Sequence, residues 1–254
     1  LAGHSKWANI KHKKAKADAF KGKMFTKLAR DIMVAVRESG SDPNTNFRLR
    51  LLMDKARSIN MPSDNITRAI KRGSGEIEAE SVEELVYEGY GPGGVAVYLD
   101  IVTDNRNRTA GDVRYIFSKH GGNLGETGCV AWMFEKKGLF LVEKVDGELP
   151  AGLDEDAVLM VALEAGAEDV VFYPDTVEII TDPSKFNEIE QKISDAGIEI
   201  ADAEITMIPK NKVELDSDTA LRLAKLVVAL EDYDDVQGVY YNADISDEIF
   251  DQIG

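Results

Sequence analysis

Apolar residues recur at two different periods along this chain, and the change of period divides it. From Lys21 onward, Phe25, Leu28, Ala29, Ile32 and Val36 return at helical spacing until ESGSDPN stops the run. A second helix is predicted over 46–60, with Leu49, Leu52, Ala56 and Ile59 on one stripe. A third is predicted from MPSDNITRAIKRG, with Ser63 as N-cap, Gly73 just past the end, and Ile66, Ala69 and Ile70 inward. Three short helices can share one small core, leaving Arg48, Arg50, Lys55, Arg57, Arg68, Lys71 and Arg72 on the outer faces. Residues 1–19 are mostly polar and read as a loosely ordered arm.

Beyond about residue 75, short strand-like runs alternate with amphipathic helices. The pattern predicts strands over 94–103, 128–135, 138–144, 168–173, 175–181, 200–209, 212–215 and 236–243, and helices over 108–119, 153–165, 185–196 and 218–232. The order reads as two βαββαβ units, one intact in the middle and the other split around it. A rival parse, two consecutive domains divided near 150, leaves an odd number of elements on each side. The nested parse gives an α+β protein: an N-terminal three-helix-type domain over 1–75 and two α/β domains of ferredoxin-like character. One of these is discontinuous, over 76–135 and 210–254, and the other is an acidic insert over 136–209.

Composition narrows the class. In 254 residues, 44% hydrophobic content argues against wholesale disorder. A single cysteine, Cys129, excludes an intrachain disulfide and a Cys-rich zinc site and suits a reducing compartment. No apolar run reaches the ~18 residues of a membrane span, and the first residues lack the apolar core of a signal peptide, so a cytoplasmic protein without membrane contact is expected.

Charge changes the picture more. Residues 1–72 hold 17 of the 30 Lys and Arg but 6 of the 46 Asp and Glu, a net of +11; the remainder carries −27. A basic module is joined to an acidic body, and only the former suits phosphate. Its densest part, residues 6–30, has nine basic residues and one acid, Asp18. Lys6, Lys11, Lys13, Lys14, Lys16, Lys21, Lys23, Lys27 and Arg30 are the phosphate-binding candidates, with His12 able to hydrogen-bond or stack on a base. Lysine is a point charge on a flexible stem and favours backbone attraction over base reading. Trp7 reads either as a stacking platform or, better, as an anchor to the helical core.

In TDNRNRTAGDVR, Arg106, Arg108 and Arg114 stand at a strand-to-helix junction. They are a second phosphate-binding patch or the counter-charges of Asp100, Asp104 and Asp112. EGYGPGGVAV is not a phosphate loop, since Pro92 removes an amide and a strand follows; Gly89, Gly91, Gly93 and Gly94 read as a tight turn and hinge. Catalysis finds no support. His4, His12 and His120 form no metal pattern, no nucleophile motif is present, and Cys129 in CVAWMF reads as a small buried hydrophobe. No catalytic residues, metal or small-molecule cofactor are expected, and nothing suggests a dimer-forming coiled coil, so a monomer is expected.

AGHSKWANIKHKKAKADAFKGKMFTKLARDI resembles the N-terminal signature of the YebC/PmpR family, which includes mitochondrial TACO-type proteins. The resemblance continues through NFRLRLLMDKARSINMPSDNITRAIKRG, YEGYGPGGVAV, TDNRNRTAGDVRYIFSKHGG, GCVAWMFEKKG and DDVQGVYYN, and departs at Leu1, where methionine is usual. It implies three domains with the third inserted in the second, no enzymatic activity, and nucleic acid as partner. Some family members are described as promoter-binding transcriptional regulators; others resemble translation factors at the ribosome, with polyproline-containing nascent chains a suggested context. The residues lean towards ribosomal RNA, because no helix-turn-helix or coiled-coil interface is evident; promoter DNA is the alternative. A metal-dependent nucleic-acid-processing enzyme, its site in an interdomain cleft, is a third possibility.

Overall fold

A computed structural model describes residues 6–78, 81–145, 147–150 and 153–253, with side chains from Lys21 onward except that of Asp247. Helix α1 (Lys6–Ser39) is one continuous rod. The loosely ordered arm is thus corrected from residue 6 onward. Lys and Ala are good helix formers, and neither Gly nor Pro interrupts them before Gly22. Helices α2 (Phe47–Ser58) and α3 (Ser63–Gly73) complete the unit. Its core joins Leu28, Ile32, Leu49, Ala56, Ile66 and Ala69. Asn46 caps α2 by accepting from the Leu49 amide at 3.0 Å, and its own amide donates to the Ala35 and Gly40 carbonyls at 2.7 Å, locking α2 against α1. Ser63 is the first residue of α3, not its cap: Pro62 takes that place and offers no side-chain bond. Gly73 lies inside α3, where a Cβ would meet the Met33 carbonyl and the Val36 side chain at 2.8 Å; its smallness lets α3 close on α1.

Two four-stranded antiparallel sheets follow. The first runs β3-β1-β2-β8, with β1 (Glu83–Tyr90), β2 (Ala96–Thr103), β3 (Asn123–Leu124) and β8 (Val236–Tyr241). Helices α4 (Arg106–Lys119) and α7 (Ser217–Glu231) cover one face, over Val97, Leu99, Ile101, Phe117 and Leu223. The second runs β5-β6-β4-β7, with β4 (Phe134–Glu143), β5 (Asp169–Phe172), β6 (Thr176–Thr181) and β7 (Asp202–Pro209). Helices α5 (Glu155–Ala165) and α6 (Phe186–Asp195) pack over Phe140, Val142, Val177 and Ile179. This second unit has ferredoxin-like order and connection. Its strands fall in sequence between β3 and β8. A short α8 (Asp247–Asp251) packs on the first core through Phe250.

The first sheet departs from expectation in three ways. Its first strand, β1, was not anticipated, because Glu83, Glu84 and Glu88 break the apolar alternation. Residues 128–133 are not strand. The buried Glu88 carboxylate accepts from the amides of Gly128, Val130 and Ala131 at 2.6, 2.7 and 2.7 Å, engaging donors that a ladder would need. A 3-10 turn over Ala131–Met133 then leads into β4. Residues 212–215 make only one bridge, Val213 to Ala243, before Asp216 caps α7.

Candidate nucleic-acid interface

Helix α1 carries the predicted phosphate contacts. Lys6, Lys11, His12, Lys13, Lys14 and Lys16 lie on its first half, their side chains outside the described set. The second half is a clamp on the acidic body. Lys23 donates to the Asp232 carbonyl at 3.3 Å, and Lys27 to the carbonyls of Glu231 and Val236 at 2.5 and 2.6 Å. Arg30 donates to the Asp234 carbonyl at 2.9 Å and to the Asp235 carboxylate at 2.8 Å. The C-terminal end of α7 leaves carbonyls unsatisfied by its own helix, and cations of α1 supply the donors.

The outer faces of α2 and α3 separate by role. Arg48 pairs with Glu38 at 2.8 Å and with Glu84 on β1; Lys55 lies 3.5 Å from Glu204 on β7. Arg50 donates to Asn187 at 3.0 Å, beside Phe47, whose ring stands 5.9 Å from that of Phe186. Arg57 pairs with Asp54 on its own helix. Cations of α2 therefore hold the helical unit to both sheets. On α3, Arg68, Lys71 and Arg72 are exposed and belong to no ion pair among the described residues. They face solvent as charge open to a partner.

At the strand-to-helix junction, the three arginines divide. Arg108 donates to Asp104 at 2.7 Å and to Asp235 at 2.8 Å. Asp235, whose side chain is 3% exposed, also accepts from Thr109 at 2.7 Å and Thr103 at 3.1 Å. Burial pushes its carboxyl up, but the bonds from Arg108, Thr109 and Thr103, with Arg30 nearby, more than offset that and leave it below the ordinary carboxylate range. Arg106 and Arg114 are exposed and join no ion pair among the described residues. Gly91, Gly93 and Gly94 form the β1–β2 turn, where Gly93 and Gly94 take φ of 75° and 74°; Gly89 lies inside β1, because a Cβ there would strike the Asn123 carbonyl at 2.6 Å and Phe117 at 2.9 Å. Cys129 is half-buried, and burial pushes its thiol up, away from nucleophilic chemistry.

Between the helical unit and the first sheet runs a cleft of about 290 Å³, lined by Lys23, Lys27, Asp31, Lys55, Gln237 and Val239 among others. Burial pushes the Asp31 carboxyl up to about 7, against the pull of Arg48 and Lys55. A wider cleft between α2 and β7 is edged by Asp54, Glu190, Glu199 and Asp202, which repel phosphate. No group of three or more His, Cys, Asp or Glu among the described residues is placed to hold a metal ion. No described helix is long and apolar enough to cross a membrane. Sequence reasoning missed the exposed aromatics Tyr115 and Trp132, each 65% exposed, because both sit within otherwise well-packed segments.

Comparison with known proteins agrees with this architecture. Residues 5–76 match the family described as TACO1/YebC protein N-terminal domain, and residues 82–243 match TACO1/YebC second and third domain. A protein of Halothermothrix orenii named "Probable transcriptional regulatory protein" is 54% identical over 254 residues, covering 100% of this chain and 99% of its own. Proteins with the same name from Desulfitobacterium hafniense and Dictyoglomus turgidum are 55% and 53% identical, covering 98% and 100% of each chain respectively. The crystal structure of a conserved hypothetical protein from Aquifex aeolicus is similar with a TM-score of 0.84 and 48% identity, over 95% of this chain and 97% of that one.

Proposed function

The chain belongs to the TACO1/YebC family, and from that premise we propose that it is a non-enzymatic nucleic-acid-binding regulator of gene expression, acting in the cytoplasm. We divide it as a nucleic-acid-binding unit over 1–75, a discontinuous unit over 76–135 and 210–254, and an inserted acidic unit over 136–209. The observation that carries the reading is the asymmetry of charge: a basic helix and the open cations of α3 stand on a body that phosphate avoids.

Transcription is the level the relatives' names support. The continuous α1 favours it too, because a basic helix fits the major groove of duplex DNA, whereas a loose arm would only have tracked phosphates. Ribosomal RNA is the second reading. It is favoured by the dominance of lysine over arginine in residues 6–30, which supplies attraction without a base-reading set. In-cell crosslinking with sequencing of both DNA and RNA separates them. Promoter peaks without ribosomal RNA sites support transcription; ribosomal RNA sites without promoter peaks replace it with translation. Crosslinks to neither remove the proposed function.

A further inference from the structure

The acidic body carries a strip of its own that its many carboxylates do not close. Residues 73–254 hold 13 Lys and Arg against 40 Asp and Glu. An average cation there should find an acid, as Arg108, Lys137, Lys144, Lys192, Lys210 and Lys212 do. Arg106, Arg114 and Lys119 on α4, with Arg222 and Lys225 on α7, join no ion pair among the described residues and are exposed. The two helices pack against each other on the same face of the first sheet.

Arg106 and Arg114 lie at Tyr87 on the β1 flank of α4, Lys119 lies round the helix towards α7, and Tyr115 points outward between the two. Tyr115, 65% exposed, stands on α4 between Arg114 and Lys119, with the Lys119 ammonium 5.9 Å from its ring centre. Burial lowers the His120 pKa, and the charges of Lys119, at the end of α4, and of Lys225, midway along α7, add to that. Beside them Gly93, Gly94 and Gly121 are exposed at φ of 75°, 74° and 76°, and a Cβ on Gly121 would lie 4.0 Å from Pro92. Their left-handed backbone favours glycine, and a Cβ on Gly94 would meet nothing within 4 Å.

At 1.5 Å per residue, Arg106 to Lys119 spans about 20 Å, the rise of about six stacked nucleotides. The Arg106 end adjoins Arg108, which shares Asp235 with Arg30 of α1. An aromatic ring open to solvent amid cations gains most from the flat face of an unstacked base, which a paired duplex does not present.

We propose that the α4–α7 face is a second nucleic-acid contact, which takes a single-stranded segment by holding its phosphates with Arg106, Arg114, Lys119 and Lys225 and stacking one unpaired base on Tyr115. This rests on the reading of the chain as a nucleic-acid binder, and it assigns Arg108 to holding the fold together.

The test uses the full chain and fluorescence anisotropy, with 20-nucleotide single-stranded RNA, single-stranded DNA and duplex DNA at two salt concentrations. Five forms are compared: wild type; Tyr115→Ala; Tyr115→Phe; a triple Arg114→Gln, Lys119→Gln, Lys225→Gln; and a quadruple change of Lys11, Lys13, Lys14 and Lys16 to Ala. The expected result is that Tyr115→Ala weakens single-strand binding about 10-fold and leaves duplex binding unchanged. Tyr115→Phe should retain single-strand binding. The triple variant should lower the single-strand salt slope by about 2. Loss confined to RNA or to DNA identifies which strand is taken. If Tyr115→Ala and the triple variant bind single strands as wild type does while the quadruple variant fails, the second contact is overturned and the function through α1 stands. If wild type binds none of the three, both fall. All substituted residues outside α1 are exposed, and thermal unfolding confirms that each variant is folded.

Discussion

Arg30 and Asp235 are 205 positions apart in the chain and 2.8 Å apart in space. Through this contact the first helix is fastened to the turn between α7 and β8. The same carboxylate holds Arg108, Thr103 and Thr109. One acid thus sets the placement of the basic helix on the body and the start of α4 together.

Removing Asp235 should release both. Breaking a buried pair by deleting one partner typically costs about 3–5 kcal/mol. Asp235→Ala should lower stability by about that range in urea unfolding, and limited proteolysis should cut more readily within α1. Arg30→Ala leaves Arg108 to compensate the carboxylate and should cost less. Equal loss in both variants would show that Arg108 does not share the load.

Asp31 gives a pH signature of the opposite kind. Its folded pKa is raised to about 7, against about 3.9 in an unfolded chain. The folded state then binds the proton more tightly, so the group's contribution declines as pH rises from about 4 to about 7 and is constant above. Asp31→Asn should be more stable than wild type at pH 8, by up to about 4 kcal/mol, with the difference vanishing near pH 4. Thermal unfolding across pH checks this; a difference independent of pH would assign the effect to packing.

Glu88 should prove structural despite its charge. Glu88→Ala orphans the amides of Gly128, Val130 and Ala131, at about 1–3 kcal/mol for each that stays buried. Trp132 rides on this turn, its indole donating to the Cys129 carbonyl at 3.1 Å. In a Trp7→Phe background, its fluorescence should shift on the Glu88 substitution. An unchanged spectrum would mean the turn holds its shape without the carboxylate.

The inner core should be the more sensitive to truncation. Phe186 is fully buried, 4.4 Å from Phe140 between ring centres, and covers Gly138, where a Cβ would clash at 2.6 Å. Phe186→Ala should destabilise by about 3–5 kcal/mol in denaturant unfolding, and the loss should include the contact with Phe47.

How much of this was readable in advance depended on whether side chains followed local rules. In β4 to β7 the apolar period is clean, and the predicted strands and helices fall within a few residues of those observed. In β1 it is not: Glu88 is an acid pointing inward to backbone amides, and a sequence pattern treats every acid as outward. The residues of the cationic strip had the same fate in reverse. Arg108 and Arg114 look alike in TDNRNRTAGDVR, and only the fold brings Asp235 to one of them. Lys23, Lys27 and Arg30 belonged to one basic run, yet the return of the chain after α7 turns them into fasteners. Long-range pairing of this sort leaves no trace in spacing.

The pairing of Phe134 with Pro209 in β4 and β7 bears on the order in which the chain folds. Opposite residues of an antiparallel pair stand about 5 Å apart, so once residues 134–209 have folded, the rest of the chain is joined across a very short gap. Until then β2 must find β8 across a long unordered loop, which is entropically unfavourable. Folding of the contiguous inner unit should therefore come first, with closure of the split sheet the later and slower event.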